Sequence, residues 1–275
     1  NYFFLAIAAF SIFFVALQYV SEAGWATPFK RVAEAISSYF LVSGIIMLFI
    51  IVAGIMHWHH IYHWMETGIT DPLNEHYDAI IAGKSAYLNG PFFFIRACVY
   101  IFGWWYASKR LIKLSRNEDR DGGTVNHFKS ITVSAVFIGF FGYTSSMMAW
   151  DWIMSIDSHW FSTLFGWFVF SSMGVTGFTT IAIMSIYLKR KGYLEYVNEN
   201  HIHDLAKWIF SFSVLWTYMW FSQFMLIWYS NIPEEVTYYL ARWDNYNFLF
   251  WITSVINFIF PLLILMSRDG KRNFN

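Results

Sequence analysis

The stretch FLVSGIIMLFIIVAGIM, from Phe40 to Met56, runs for seventeen residues without a charge, an amide or a proline. As a helix it rises about 25 Å, at 1.5 Å per residue, close to the hydrocarbon thickness of a bilayer, about 30 Å. A soluble core helix needs a polar stripe for its wet side, and this one has none. Six further runs read the same way: Tyr2–Val20, Pro91–Ser108, Ile131–Ala149, Phe161–Leu188, Trp208–Ser230 and Phe248–Met266. The sequence therefore predicts an all-α, polytopic transmembrane helix bundle of seven spans, forming one integral membrane domain over residues 1–275.

Composition agrees. Of 275 residues, 57% are hydrophobic and 13% are charged, about half the charged share usual in a soluble domain. Mean hydropathy is +0.41. The single cysteine, Cys98, excludes a disulfide framework and a thiolate-ligated zinc or iron–sulfur site built by this chain alone. Eighteen basic residues balance eighteen acidic ones, and no basic stripe offers a nucleic-acid surface. Aromatics reach 23%. Trp25, Trp64, Trp150, Trp152, Trp160, Trp208, Trp228 and Trp243 lie near span ends, as an interfacial belt does.

Zero net charge conceals an asymmetry. Lys30 and Arg31 lie in the first inter-span loop. Lys109, Arg110, Lys113, Arg116, Arg120 and Lys129 lie in the third, and Lys189, Arg190, Lys191 and Lys207 in the fifth. Arg268, Lys271 and Arg272 follow the last span. The even-numbered loops hold only Lys84 and Arg242, with Arg96 nearby. Basic residues gather on the cytoplasmic side of a membrane, so the reading is N-terminus outside, C-terminus inside. Asn1 opens directly into a hydrophobic run with no signal-peptide features, which points to a fragment lacking the true N-terminus.

Three constellations are candidates for chemistry. The string His57-Trp58-His59-His60-Ile61-Tyr62-His63-Trp64, read as a helix, pairs His59 with His63 at i, i+4, as metal sites do. All nine histidines nevertheless fall in loops or at span ends, where anchoring among headgroups is the simpler role and no bound haem or metal is expected. Asp151, Asp157 and His159, in a short outer connection that reads as an interfacial helix, could pass protons between water and a buried site. Within the spans, Gln18, Tyr143, Thr144, Ser145, Gln223 and Asn257 could line a hydrogen-bonded wire, although such residues more often join helices. Arg96, five residues past Pro91, is read as snorkelling toward the headgroups. Ser171, Ser172, Gly174, Thr176 and Gly177 offer small surfaces for helix pairing. A retinal receptor is excluded, since the last span has no lysine, and no phosphate-binding G-x-x-x-x-G-K-[ST] string occurs.

Two stretches carry a family resemblance. One is Leu17-Gln18-Tyr19-Val20-Ser21-Glu22-Ala23-Gly24-Trp25, continuing to Lys30-Arg31-Val32-Ala33-Glu34-Ala35. The other runs Ser145-Ser146-Met147-Met148-Ala149-Trp150-Asp151-Trp152-Ile153-Met154-Ser155-Ile156-Asp157-Ser158-His159-Trp160-Phe161-Ser162-Thr163. With the helix layout, they resemble the ActF family, membrane subunits of bacterial alternative complex III related to the NrfD/PsrC-like quinol-interacting subunits. The resemblance implies a parent of about ten spans in the bacterial inner membrane. It also implies partners: an ActC-like membrane subunit, iron–sulfur and c-type haem subunits, and a haem–copper oxidase, all amid membrane lipids. Quinol oxidised by that assembly passes its electrons to cofactors in those partners. No cofactor is expected in this chain itself beyond a quinone, and Asp151, Asp157 and His159 are the matching residues that could serve quinone binding or proton movement. The rival readings are a secondary transporter, which needs broken helices around a midplane solute site, and a purely structural anchor.

Overall fold

A computed structural model describes residues 1–272. Eleven α-helices follow one another, with no strand among the described residues. They are α1 (Tyr2–Val20), α2 (Lys30–Ser38), α3 (Phe40–Ile55), α4 (Ala79–Lys84), α5 (Gly90–Asp121), α6 (Val125–Trp152), α7 (Phe165–Arg190), α8 (Glu199–Ser230), α9 (Pro233–Ser254), α10 (Phe260–Leu265) and α11 (Arg268–Arg272). Three 3₁₀ turns, Gly24–Phe29, His63–Met65 and Met154–Ile156, and a π segment, Val255–Ile259, complete the elements.

The chain is a multi-pass helical membrane protein. Six helical stretches are long and apolar enough to cross a bilayer, one fewer than the seven read from the sequence. The stretch that falls short is α5. Its 32 residues suffice in length, but Arg96, Trp104, Trp105 and Tyr106 lower its hydropathy. It still runs from one end of the bundle to the other. Near its start Arg96 meets Asp151, and near its end Glu118 meets Tyr19. The α5 helix keeps its place by packing on α6 and α3 and by burying its polar atoms.

The bundle centres on α1, which touches α2, α3, α5, α6 and α7. Phe10 and Phe14 are fully buried there, and Phe178 lies within 5.1 Å and 5.6 Å of them, ring to ring. Two glycines set the approach of α7 to its neighbours. A Cβ on Gly177 would stand 2.3 Å from the Phe10 ring, and one on Gly174 1.9 Å from the Phe212 ring. Close backbone approach of this kind drives helix association where lipid competes equally for apolar surface. Outward-facing Ile45, Ile46, Phe49, Val136 and Ile183 are exposed, the surface a bilayer would cover.

Polar contacts sort into two end groups that match the alternation of loops. At one end Arg31 pairs with Glu34 and Asp119, Tyr19 donates to Glu118 at 3.0 Å, and His127 lies 3.3 Å from Glu118. At the other, Lys84 donates to the Ser158 carbonyl at 2.7 Å, Tyr62 to the Trp152 carbonyl at 3.1 Å, and Trp160 to the Glu235 carbonyl at 3.2 Å. One sequence placement changes here. The sequence reading puts Arg242 in an even-numbered loop, but α9 begins at Pro233, so Arg242 sits within a helix. Proline suits a helix's first turn, where its missing N–H is no loss, and this sets the start of α9 well before Phe248.

Candidate functional site

Arg96 and Asp151 form the principal polar centre. Arg96 faces inward because it shares a helix side with Phe93, Ala97 and Tyr100, all buried. Its Nε donates to Asp151 Oδ2 and its Nη2 to Oδ1, both at 2.9 Å, a two-pronged pair. Tyr100, one turn further along α5, donates its hydroxyl to Asp151 Oδ2 at 2.9 Å. The remaining guanidinium nitrogen, Nη1, donates to the Tyr87 carbonyl at 3.0 Å. The Tyr87 and Phe92 rings stand 3.8 Å and 4.3 Å from the guanidinium carbon. The side chains are 8% and 1% exposed. Arg96 is thus no snorkelling residue. Its side chain turns into the protein because a carboxylate and a carbonyl wait there, and burial without them would be costly. The Tyr87 hydroxyl, in the connection before α5, is pushed above its ordinary range by burial and by the nearby Asp151 charge.

The expected trio of Asp151, Asp157 and His159 does not assemble. Asp151 belongs to the Arg96 pair, while Asp157 is exposed beside a small cavity lined by Lys84, Tyr87, Trp150 and Phe161. His159 Nε2 lies 2.5 Å from Asp78 Oδ2, and its ring is 6.4 Å from that of His63. Asp78 caps α4, its Oδ1 accepting from the N–H groups of Ile80 and Ile81 at 2.8 Å and 3.1 Å. Those bonds, the Ile81 one foremost, and then His159, hold the Asp78 carboxyl below its ordinary range. The expected interfacial helix between Asp151 and Trp160 shrinks to the 3₁₀ turn Met154–Ile156.

The histidine string is likewise not a helix. His57 takes φ +57°, and only His63–Met65 makes a short turn. His59 bends back so that its Nε2 sits 2.8 Å from the Ile50 carbonyl, packing on Gly54, where a Cβ would stand 2.9 Å from the imidazole. It lies against the last turns of α3. Among the described residues, no three His, Cys, Asp or Glu side chains are grouped as a metal site requires.

Nor do the intramembrane polar residues join into a wire. Thr144 accepts from Trp104 Nε1 at 2.9 Å and donates to the Phe140 carbonyl at 2.7 Å. Ser145 donates to the Gly142 carbonyl at 3.3 Å, and Tyr143 is exposed. Asn257 donates to the Thr253 carbonyl at 2.9 Å, inside its own helix. It lies in the π segment, which precedes Pro261 by two residues. A proline removes the N–H that would bond the carbonyl four residues back, here that of Asn257, and the helix widens there.

Gln223 is different. It is 3% exposed and has no hydrogen-bond partner among the described residues. It lines a cavity of about 520 Å³ between α7, α8 and α9, walled by Phe168, Trp216, Trp220, Tyr238, Tyr239 and Phe250 and entered by Arg242 and Thr253. Trp216 and Trp220 stack at 7° along one wall. Arg242 donates to the Tyr238 carbonyl at 2.7 Å and lies 3.3 Å over the Tyr238 ring. The other face of that ring is covered by Trp160, at 4.1 Å. Beside the cavity α9 bends, with Tyr246 at φ −133°, ψ 29°.

Sequence reasoning missed Tyr100 and Arg242. Tyr100 carried a signal, since it follows Arg96 by four residues and so shares its face. Arg242 could have been placed by Pro233, whose first-turn preference extends α9 backward.

No protein-family model matches the chain, and no curated protein aligns with it significantly.

Proposed function

We propose that this chain is an integral membrane subunit of a quinol-oxidising respiratory complex in a bacterial inner membrane. On this reading it carries no redox centre of its own and docks against cofactor-bearing partners, as its resemblance to the ActF family implies. The observation that carries the proposal is the Arg96–Asp151–Tyr100 network. Asp151 lies in the more specific of the two resembling stretches, and it is the one carboxylate of its trio that the fold buries and supplies with three donors. An ionisable residue within a membrane bundle is by default a functional position, and a fully satisfied network also holds its helices rigid. It fixes α5 against α6 near the connection that holds Asp157 and His159, the face a quinol-oxidising neighbour would contact.

The test is affinity purification of the tagged protein from its native membranes in mild detergent. Co-purification with haem- and iron–sulfur-bearing subunits, and with quinol oxidation, is expected. Isolation as a lone chain with neither partners nor quinol oxidation would overturn the assignment. In the assembled complex, Asp151→Asn should lower quinol turnover together with subunit retention. If it lowered turnover with every subunit retained, Asp151 would be acting on protons or quinol directly.

A further inference from the structure

We propose that the cavity between α8 and α9 binds one phosphate-bearing membrane lipid, with Arg242 taking the phosphate and Gln223 an ester oxygen. The inference stands apart from the proposed complex, since it rests on charge and burial alone.

Arg242 is the starting point. An arginine remains charged at any ordinary pH, and inside a membrane helix it calls for a counter-charge. Arg96 has Asp151, whereas Arg242 has no carboxylate within ion-pair distance among the described residues. One guanidinium nitrogen is held by the Tyr238 carbonyl and one face by the Tyr238 ring. The remaining N–H groups form the planar fork that suits phosphate oxygens. Gln223 supplies the second, independent observation: an amide 3% exposed, without a partner, lining the same space.

Depth decides what kind of phosphate. Glu234 and Glu235 open α9 at the bundle end. Arg242 reaches back to the level of Tyr238, which places its guanidinium about 5 Å below Glu235 at 1.5 Å per residue. Gln223 lies seven residues before the end of α8 at Ser230, about 10 Å down on the same measure. Leu249, Phe250 and Thr253 line the cavity further along α9. Cation, then amide, then apolar wall is the order in which a glycerophospholipid presents phosphate, ester and acyl chain. A free phosphate ion would leave the amide and the aromatic walls without an occupant.

The full chain, purified in detergent and stripped of lipid, would be titrated with dioleoylphosphatidylglycerol, with dioleoylglycerol lacking the phosphate, and with inorganic phosphate, and followed by native mass spectrometry. One phosphatidylglycerol per chain is expected, binding about tenfold more tightly than dioleoylglycerol, the factor that corresponds to one charge-assisted interaction. Arg242→Gln should erase that tenfold preference, and Arg242→Lys, which keeps the charge but loses the planar fork, should keep only part of it. Equal binding of the two lipids by the unaltered protein would overturn the proposal, and so would an unchanged preference in Arg242→Gln. Displacement of the lipid by inorganic phosphate would reassign the site to a free anion. Displacement by a short-chain quinone would reassign it to a planar ring. If Arg242→Gln does not fold, Gln223→Leu gives a second reading, since loss of the ester contact should weaken both lipids alike.

Discussion

Arg96 in α5 and Arg242 in α9 are treated oppositely by the fold. Arg96 is sealed, with a carboxylate gripped at two points, a tyrosine hydroxyl on the same oxygen, and a backbone carbonyl on the remaining nitrogen. Arg242 has a backbone carbonyl and an aromatic ring, and then an open cavity. A charge that is fully answered within the fold contributes to geometry. A charge left half-answered beside empty space is available to something that comes from outside. The contrast assigns structure to the first and recognition to the second.

Removing one partner of the sealed pair is the most severe way to break this comparison. Arg96→Ala or Asp151→Ala leaves a buried charge alone and should cost about 3–5 kcal/mol, read as a lowered unfolding midpoint in detergent and poor membrane yield. The paired replacement Arg96→Met with Asp151→Leu should recover much of that loss, because it abandons no charge. If the double variant were as unstable as either single one, the network would be doing more than pairing. Tyr100→Phe removes one bond to a charged acceptor and should cost about 1.5–3 kcal/mol.

The close helix approach around α1 supplies the next grade of effect. Gly177→Ala places a methyl against Phe10, which is fully buried and cannot swing aside. The expected cost is about 1–3 kcal/mol, the usual range for overpacking, with the membrane topology unchanged. The open arginine should matter less to folding. Arg242→Gln gives up one carbonyl bond and one ring contact, about 1 kcal/mol in a site still reached by solvent or lipid. A loss as large as that of Arg96→Ala would mean that Arg242 is also a keystone, and the contrast would fail.

The sequence makes the fold legible for a clear physical reason. Hydropathy over some twenty residues is a sum, and it tolerates errors at single positions. Tyr2–Val20 and Phe40–Met56 match α1 and α3 to within a residue, and Trp208–Ser230 ends where α8 does, although α8 begins earlier, at Glu199. The sum misleads where a span buries polar atoms for packing, as α5 does with Arg96 and Trp104. Site residues are harder because pairing is not a sum. Asp151, Asp157 and His159 lie within nine positions of one another, yet α6 presents Asp151 to α5 while the connection after it turns His159 toward Asp78. Which loop crosses above them is settled by the residues 57–90, whose path carries little periodicity. Gln223 and Asn257 look alike in the sequence. One faces a cavity, and the other satisfies its own helix one turn back.

The most local test concerns the connections that carry Asp78 and His159, where the charges are neither sealed nor left open but partly exposed. Asp78 caps α4 and meets His159, so Asp78→Ala should cost about 0.5–2 kcal/mol locally, the range for losing an N-cap. Its pH dependence has a definite sign. The folded carboxyl is held below its ordinary range, so the folded state favours the charged form, and the unfolded chain takes up the proton first as pH falls. The stabilisation is therefore complete above the unfolded value, about 3.9, and disappears as pH drops through the lower folded one. Hydrogen exchange of the Ile80 and Ile81 amides, followed from neutral pH downward, should show protection constant at first and lost only below that point. Asp78→Asn can still accept the two amide bonds but cannot titrate, so it should flatten the profile. An acid-sensitive profile persisting in Asp78→Asn would place the titrating group elsewhere in the connection, with Glu66 beside His63 as the next carboxylate to replace.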